Sequence, residues 1–154
     1  MTLREATDAD RLAVQCWLDP QGDAARGVQR NPNVTEWVAQ WHGQLAGFVQ
    51  LVRHPPEHFP YTGYWLFGLT IKPHWQGLGI GEMLSQAVLD RTRAEGAQTL
   101  DLLVFDDNVR ALGLYRKLGF KLHTIPELEP QLESERAQCG RRRVVMRKRL
   151  ANDE

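Results

Sequence analysis

The fold is decided by the stretch Leu69-Thr70-Ile71-Lys72-Pro73-His74-Trp75-Gln76-Gly77-Leu78-Gly79-Ile80-Gly81. An apolar strand ends at Ile71, Pro73 breaks it, and a helix begins near Gly79 or Ile80. Glycines let the backbone approach a ligand closely, and the first turn of a helix carries unpaired N–H groups and about half a positive charge. The stretch therefore predicts a site at which backbone amides hold phosphate oxygens.

Three alternatives compete for this glycine loop. A P-loop ends in Gly-Lys-Ser/Thr, whereas Gly81 is followed by Glu82, so the spacing disfavours that class of site. A dinucleotide fingerprint needs G-x-G-x-x-G/A, and Glu82 stands where its last glycine belongs. Asp101 does lie near the position that the fingerprint's acidic residue would take. A glycine turn without any ligand is the third alternative.

Hydrophobic periodicity predicts the elements around the loop. Thr7 and Asp10 form a capping box for the first helix, whose apolar face contains Ala9, Leu12, Ala13, Cys16 and Trp17. Residues 20–32 are predicted as a loop, with or without one helical turn, and residues 126–138 as a loop or a short helix. Strands are predicted at 2–6, 34–42, 45–53, 64–71, 99–105, 120–125 and 142–150, and helices at 8–18, from 79 or 80 to just before Gly96, and at 108–118.

Composition excludes several classes of protein. The 154 residues suffice for one domain, and we expect a single domain over 1–154. Lys plus Arg equals Asp plus Glu at 19 each, which gives no reason to expect nucleic acid or a membrane as partner. The two cysteines are typical of a cytoplasmic protein, and the five histidines lack metal-ligand spacing, so we expect no metal.

A second motif follows the glycine loop. Residues 108–120 read Asn108-Val109-Arg110-Ala111-Leu112-Gly113-Leu114-Tyr115-Arg116-Lys117-Leu118-Gly119-Phe120. This stretch resembles the N-x-x-A-x-x-L-Y-x-K-x-G-F signature of the GNAT superfamily of N-acetyltransferases. The loop from Gln76 to Gly81 likewise resembles that family's Q/R-x-x-G-x-G/A pattern, and the two motifs stand in the family's order.

The resemblance implies a fold, a cofactor and site residues. The fold would be α/β (α+β), with a mixed, mostly antiparallel sheet of about six to seven strands, a splayed parallel pair and flanking helices. Acetyl-CoA would lie with its pantetheine between strands 64–71 and 99–105, and Tyr115 would be the general acid at the thiol. The implied cofactor-binding residues are Leu69, Thr70, Ile71, Gln76, Gly77, Leu78, Gly79, Ile80, Gly81, Asn108 and Tyr115.

The general base is open at this point. Some members of the family place a carboxylate on the strand that corresponds to residues 64–71, and this strand has none. A water chain that relays the proton to bulk solvent is an equal alternative. The other candidates are Glu36, His54, Glu57, His58, Asp101 and Asp106.

The resemblance implies transfer of an acetyl group to a primary amine of a small molecule or peptide, by direct attack in a ternary complex. We expect the acceptor near helix 8–18 and its following loop, loop 54–63 and residues 126–138, in a monomer or homodimer. Trp37 and Trp41 are candidates for the floor of its pocket. The alternative function is a non-catalytic acyl-CoA-binding sensor, which would keep the loop from Gln76 to Gly81 without a base.

Overall fold

This computed structural model describes residues 1–18 and 31–150. Among these residues three short 3-10 turns occur, at Pro56–His58, Pro73–Trp75 and Pro126–Leu128. The elements in chain order are β1 (Thr2–Glu5), α1 (Asp8–Leu18), β2 (Val34–Trp41), β3 (Gln44–His54), β4 (Gly63–Ile71), α2 (Ile80–Ala94), β5 (Thr99–Phe105), α3 (Val109–Lys117), β6 (Lys121–His123), α4 (Glu129–Cys139) and β7 (Arg143–Arg149).

The predicted strands and helices are confirmed, with ends shifted by at most two residues. Residues 126–138, predicted as a loop or a short helix, contain α4. The loop predicted over residues 20–32 lies largely outside the described residues. The expected capping box is also confirmed, because Thr7 N donates to Asp10 Oδ2 and Asp10 N donates to Thr7 Oγ1, at 2.7 and 3.2 Å.

One seven-stranded sheet runs through the described residues in the order β1-β2-β3-β4-β5-β7-β6. All neighbouring strands are antiparallel except β4 and β5, which are parallel. The predicted fold class, a mostly antiparallel sheet with one parallel pair, is therefore confirmed.

Helices cover both faces of the sheet. On one face α2 and α3 pack on the main core, which includes Leu84, Val88 and Leu112. On the other face α1 packs Val14 against Val38 and Phe48, and α4 packs Leu132 against Trp65 and Val145. The acidic α4 is also joined by ion pairs to the basic segment at the start of β7, Arg142 with Glu129 and Arg143 with Glu135.

The predicted apolar face of α1 is wrong. Leu12 and Cys16 are exposed, whereas Asp10 and Val14 are buried. Asp10 can be buried because its carboxylate pairs with Arg4 of β1 and accepts a hydrogen bond from the Thr7 backbone N–H. In α2, Met83 is exposed, whereas Ser85 and Leu89 are buried.

Candidate functional site

The two edges of β4 differ. Toward β3 the strand pairs from Gly63 to Ile71, whereas toward β5 it meets one register partner, Trp65 with Asp101. Gly68 and Leu69 form a bulge opposite the neighbouring strand, with Gly68 at φ 66°, a conformation that favours glycine. Beyond Trp65, the β5 side of β4 has no strand partner among the described residues. A gap therefore opens in the middle of the sheet.

The helix α2 begins beside this gap with unpaired amides. Gly79 is its N-cap at φ 83°, and no side chain caps the first turn. In the described chain, the backbone N–H groups of residues 77–82 donate to no protein acceptor, and the first bond is from Met83 N to Gly79 O at 3.1 Å. The Gln76 amide differs, because it donates to Pro73 O at 3.3 Å. Six adjacent donors are thus free for an anion.

A cavity of about 520 Å³ joins the amides to the gap. The predicted cofactor-binding residues that line it are Leu69, Ile71, Gln76, Gly77, Gly79, Ile80, Gly81 and Asn108. Asn108 is also the N-cap of α3, accepting from Ala111 N at 3.1 Å. Its side-chain NH₂ group has no acceptor among the described residues.

Three predicted residues do not line this cavity. The Thr70 hydroxyl donates to Gly68 O at 3.0 Å, although the Thr70 backbone lies on the same edge of β4. Leu78 is 64% exposed and lies on the outer side of the loop. Tyr115 is 6% exposed and belongs to the main core, with its ring 5.7 Å from that of Phe120.

The Tyr115 hydroxyl has a distinct environment. Burial raises the pKa of Tyr115 to about 12, so the group is a protonated donor at neutral pH. It forms no hydrogen bond within the described residues, where Ser85 Oγ is the one fully buried side-chain oxygen or nitrogen without a partner. The Tyr115 hydroxyl therefore keeps some access to solvent.

Sequence reasoning missed two cations at the cavity, Arg110 and Lys117. Arg110 Nη1 donates to Gln76 Oε1 at 3.3 Å, and Lys117 pairs with Glu82 at 2.7 Å. Arg110, Leu114 and Lys117 follow one another at intervals of four and three residues along α3. This helical spacing was the signal that could have placed the two cations on one face of α3.

None of the six candidate bases lines this cavity. Glu36 accepts hydrogen bonds from Arg11 and Gln50. Asp101 is 2% exposed, and its two carboxylate oxygens accept from Arg147 Nε and Nη2 at 2.6 and 3.0 Å. His54 Nδ1 lies 3.0 Å from His58 Nδ1, and burial and that neighbour lower the pKa of His54. Glu57 and Asp106 are exposed.

Trp37 and Trp41 do not form a common floor, contrary to the expectation from their spacing. A register shift between Ala39 and Gln40 separates them. Trp37 is buried in the main core, whereas Trp41 is 43% exposed at the end of β2.

Comparison with known proteins gives consistent results. The model of the acetyltransferase (GNAT) family matches residues 3–120. A mycothiol acetyltransferase of Sanguibacter keddieii is 32% identical over 90 residues, which are 57% of this chain and 28% of that protein. A ribosomal protein bS18-alanine N-acetyltransferase of Salmonella typhimurium is 38% identical over 60 residues, 39% of this chain and 40% of that one.

A solved ribosomal-protein-alanine N-acetyltransferase from Brucella melitensis shares the fold, with a TM-score of 0.70 and 18% identity over 97% of this chain and 99% of that one. The chain spans only 28% to 44% of the lengths of the first three mycothiol acetyltransferases it matches. Among the described residues, no helix is both long and apolar enough to span a bilayer, and no three His, Cys, Asp or Glu side chains cluster as metal ligands.

Proposed function

Since this chain belongs to the acetyltransferase (GNAT) family, we propose that it transfers an acetyl group from acetyl-CoA to a primary amine. One observation carries the proposal: unpaired amides at the start of α2 and an unpaired edge of β4 open into the same cavity. The amides suit a pyrophosphate, and the strand edge suits an extended chain with amide groups, such as pantetheine.

The proposed binding residues divide by chemistry. The backbone of Leu69, Thr70 and Ile71 pairs with the pantetheine amides as an added strand would, and Asn108 donates beside it. The amides of residues 77–82, which include those of Gly77, Leu78, Gly79, Ile80 and Gly81, hold the pyrophosphate. Gln76 contributes through its side chain, because its own amide is occupied by Pro73 O. Arg110 adds a positive charge beside the loop.

The reaction is direct attack in a ternary complex. An alkyl amine with a pKa of about 10.4 is neutral in about one molecule in 2,500 at pH 7, so a proton must leave before attack. The amine nitrogen then bonds to the thioester carbonyl carbon and gives up a second proton to water as the C–S bond breaks. Tyr115 protonates the departing sulfur and takes up a proton again from water. We assign deprotonation of the amine to water, since β4 has no carboxylate and none of the candidate bases lines the cavity.

The acceptor is proposed to be a small-molecule or peptide amine. The named relatives act on acceptors of both kinds, mycothiol and a ribosomal protein. We further propose that residues 1–154 act as one domain, because one sheet runs through the described residues. A cytoplasmic monomer or homodimer is proposed, and the two unpaired cysteines suit a reducing compartment.

The test is an assay of thiol release from acetyl-CoA with five amines: a peptide with N-terminal alanine, spermidine, L-lysine, an aminoglycoside and a streptothricin. We expect amine-dependent thiol release with at least one of them, and acetyl-CoA should raise the melting temperature while NAD should not. Stabilisation by acetyl-CoA without thiol release would favour the acyl-CoA sensor. The missing carboxylate on β4 is consistent with that alternative. Stabilisation by NAD alone would contradict both.

A further inference from the structure

A row of side chains crosses three strands next to the gap. Glu36 of β2 is the register partner of Gln50 of β3, and Gln50 is the register partner of Phe67 of β4. Partners in register point to the same face of a sheet. Because Val49 and Leu66, which precede Gln50 and Phe67, pack under α2, the row lies on the opposite face, between the areas covered by α1 and α4.

The Gln50 amide is held in one orientation. A carboxylate only accepts hydrogen bonds, so the amide group must turn its NH₂ toward Glu36. Gln50 Nε2 donates to Glu36 Oε2 at 2.7 Å. The other oxygen of Glu36 is bound by Arg11 of α1, which also pairs with Asp8 at 2.7 Å. Because Arg11 holds Glu36 and Glu36 holds the Gln50 NH₂ group, Gln50 Oε1 points away from Glu36.

Gln50 Oε1 lies at the bulge of β4. A Cβ atom built on Gly68 would be 3.7 Å from it. This position is just beyond Trp65, the last residue of β4 that pairs with β5. No donor in the described chain bonds to Oε1. Arg11 and Glu36 carry opposite charges and neutralise each other. The neighbouring Phe67 is 55% exposed, although it stands on a central strand. An acceptor oxygen thus stands beside an open apolar surface, at the bulge in the part of β4 that has no partner on the β5 side.

We propose that Gln50 Oε1 accepts a hydrogen bond from the N–H of the acceptor amine and directs the nitrogen lone pair at the thioester, with Arg11 and Glu36 as positioning residues. The proposal rests on the proposed acetyl transfer and adds to it a residue that recognises the acceptor. A neutral amide oxygen suits this task, since it holds the nitrogen without stabilising the ammonium form as a carboxylate would. Phe67 then contacts the carbon chain next to the amine.

The first test compares Gln50→Leu with the matched control Gln86→Leu, which removes the bond of an exposed glutamine to Asp90 on the far side of α2. For each of the five amines that the wild type acetylates, we expect Gln50→Leu to raise KM about tenfold, the effect of losing about 1.4 kcal/mol of binding. The Kd for acetyl-CoA should stay within about twofold. Gln86→Leu should change neither constant.

A second test addresses the orientation of the amide. Glu36→Gln lets the Gln50 amide turn either way, so KM for the amine should rise by a smaller factor. In the Gln50→Leu background, Glu36→Gln should add nothing to KM. If Gln50→Leu does not fold, Gln50→Asn replaces it, because the shorter amide cannot span from Glu36 to the bulge.

The outcomes separate the two proposals. A wild type that acetylates none of the five amines removes the proposed function, and this inference with it. An active wild type together with an unchanged amine KM in Gln50→Leu overturns the inference alone. A parallel rise of the amine KM and the acetyl-CoA Kd would mean that Gln50 only supports β4, which also overturns it.

Discussion

The sheet consists of two halves. Strand pairing is extensive within each half and sparse where the halves meet. In the half β1–β4 each strand is antiparallel to the next, and β4 is tied to β3 along its length. In the half β5-β7-β6, β5 is tied to β7 from Thr99 to Phe105. Between the halves stands one register pair, Trp65 with Asp101. Stability resides in the halves, whereas the binding function is proposed for the junction.

The junction stays open for physical reasons. Asp101 pairs with Arg147 of β7, so β5 is tied to its own half of the sheet at the one level where it also meets β4. The bulge at Gly68 bends β4 three residues beyond Trp65, and the glycine loop brings the start of α2 beside the opening. An added chain with amide groups would complete the hydrogen bonds that β4 lacks on this side.

The largest effect is expected from a charge at the start of α2. Gly81→Asp places a carboxylate among the free amides, where it suits the helix dipole but repels a pyrophosphate. We expect stability to be kept and kcat/KM for acetyl-CoA to fall about a hundredfold, because like charges in contact cost several kcal/mol. Thermal melting with and without acetyl-CoA, together with the thiol-release assay, measures both.

Gly81→Ala is the matched control for this charge. A Cβ atom at Gly81 would lie 3.4 Å from Leu114 Cδ2, an ordinary contact. This variant should keep most of the acetyl-CoA stabilisation. Equal losses of the acetyl-CoA stabilisation in the two variants would mean that the size of the side chain, not its charge, weakens binding. Full acetyl-CoA stabilisation in Gly81→Asp would contradict an anion site at the start of α2.

A smaller effect is expected from Tyr115→Phe. A thiol with a pKa of about 8.5 leaves readily, so a general acid should contribute only about tenfold to kcat. Because burial raises the pKa of Tyr115 to about 12, the hydroxyl stays protonated up to pH 10. The ratio of wild-type to variant kcat should therefore be constant between pH 7 and 10, measured with saturating substrates. A variant with full turnover across this range would leave Tyr115 as a core residue only.

The glycine loop and the order of elements could be predicted because their signals are local. Alternating glycines before a helix and the period of apolar residues need no knowledge of distant partners. The buried face of α1 could not be predicted, because burial of Asp10 depends on Arg4 of a separate strand. The row of Glu36, Gln50 and Phe67 depends on the register of three strands, which bulges alter. Sequence spacing alone does not contain that register.

A further effect, of about threefold on KM for acetyl-CoA, is expected from Arg110→Leu. Arg110 is exposed beside Gln76 and Gly77, and an exposed charge pair contributes only up to about 1 kcal/mol. The effect should shrink at high salt, since screening weakens such pairs. Steady-state kinetics at 20 and 500 mM NaCl measure it, with Arg93→Leu near the end of α2 as the control. A difference that persists unchanged at 500 mM would contradict an electrostatic role.

The smallest effect on acetyl-CoA binding is expected from Asp10→Asn. Asp10 lies on α1, which packs against the half β1–β4. Its hydrogen bond with Arg4 lowers the pKa of Asp10 to about 2. A lowered folded-state pKa stabilises the fold above the unfolded-state pKa of about 4, and this contribution disappears as the pH falls toward 2. We expect Asp10→Asn to lower the free energy of unfolding by about 1 kcal/mol at pH 7. Urea denaturation should show that this difference narrows between pH 4 and 2, whereas the acetyl-CoA Kd at pH 7 stays unchanged. A weakened Kd would mean that the well-paired half also shapes the junction, and the separation of stability from binding would then be lost.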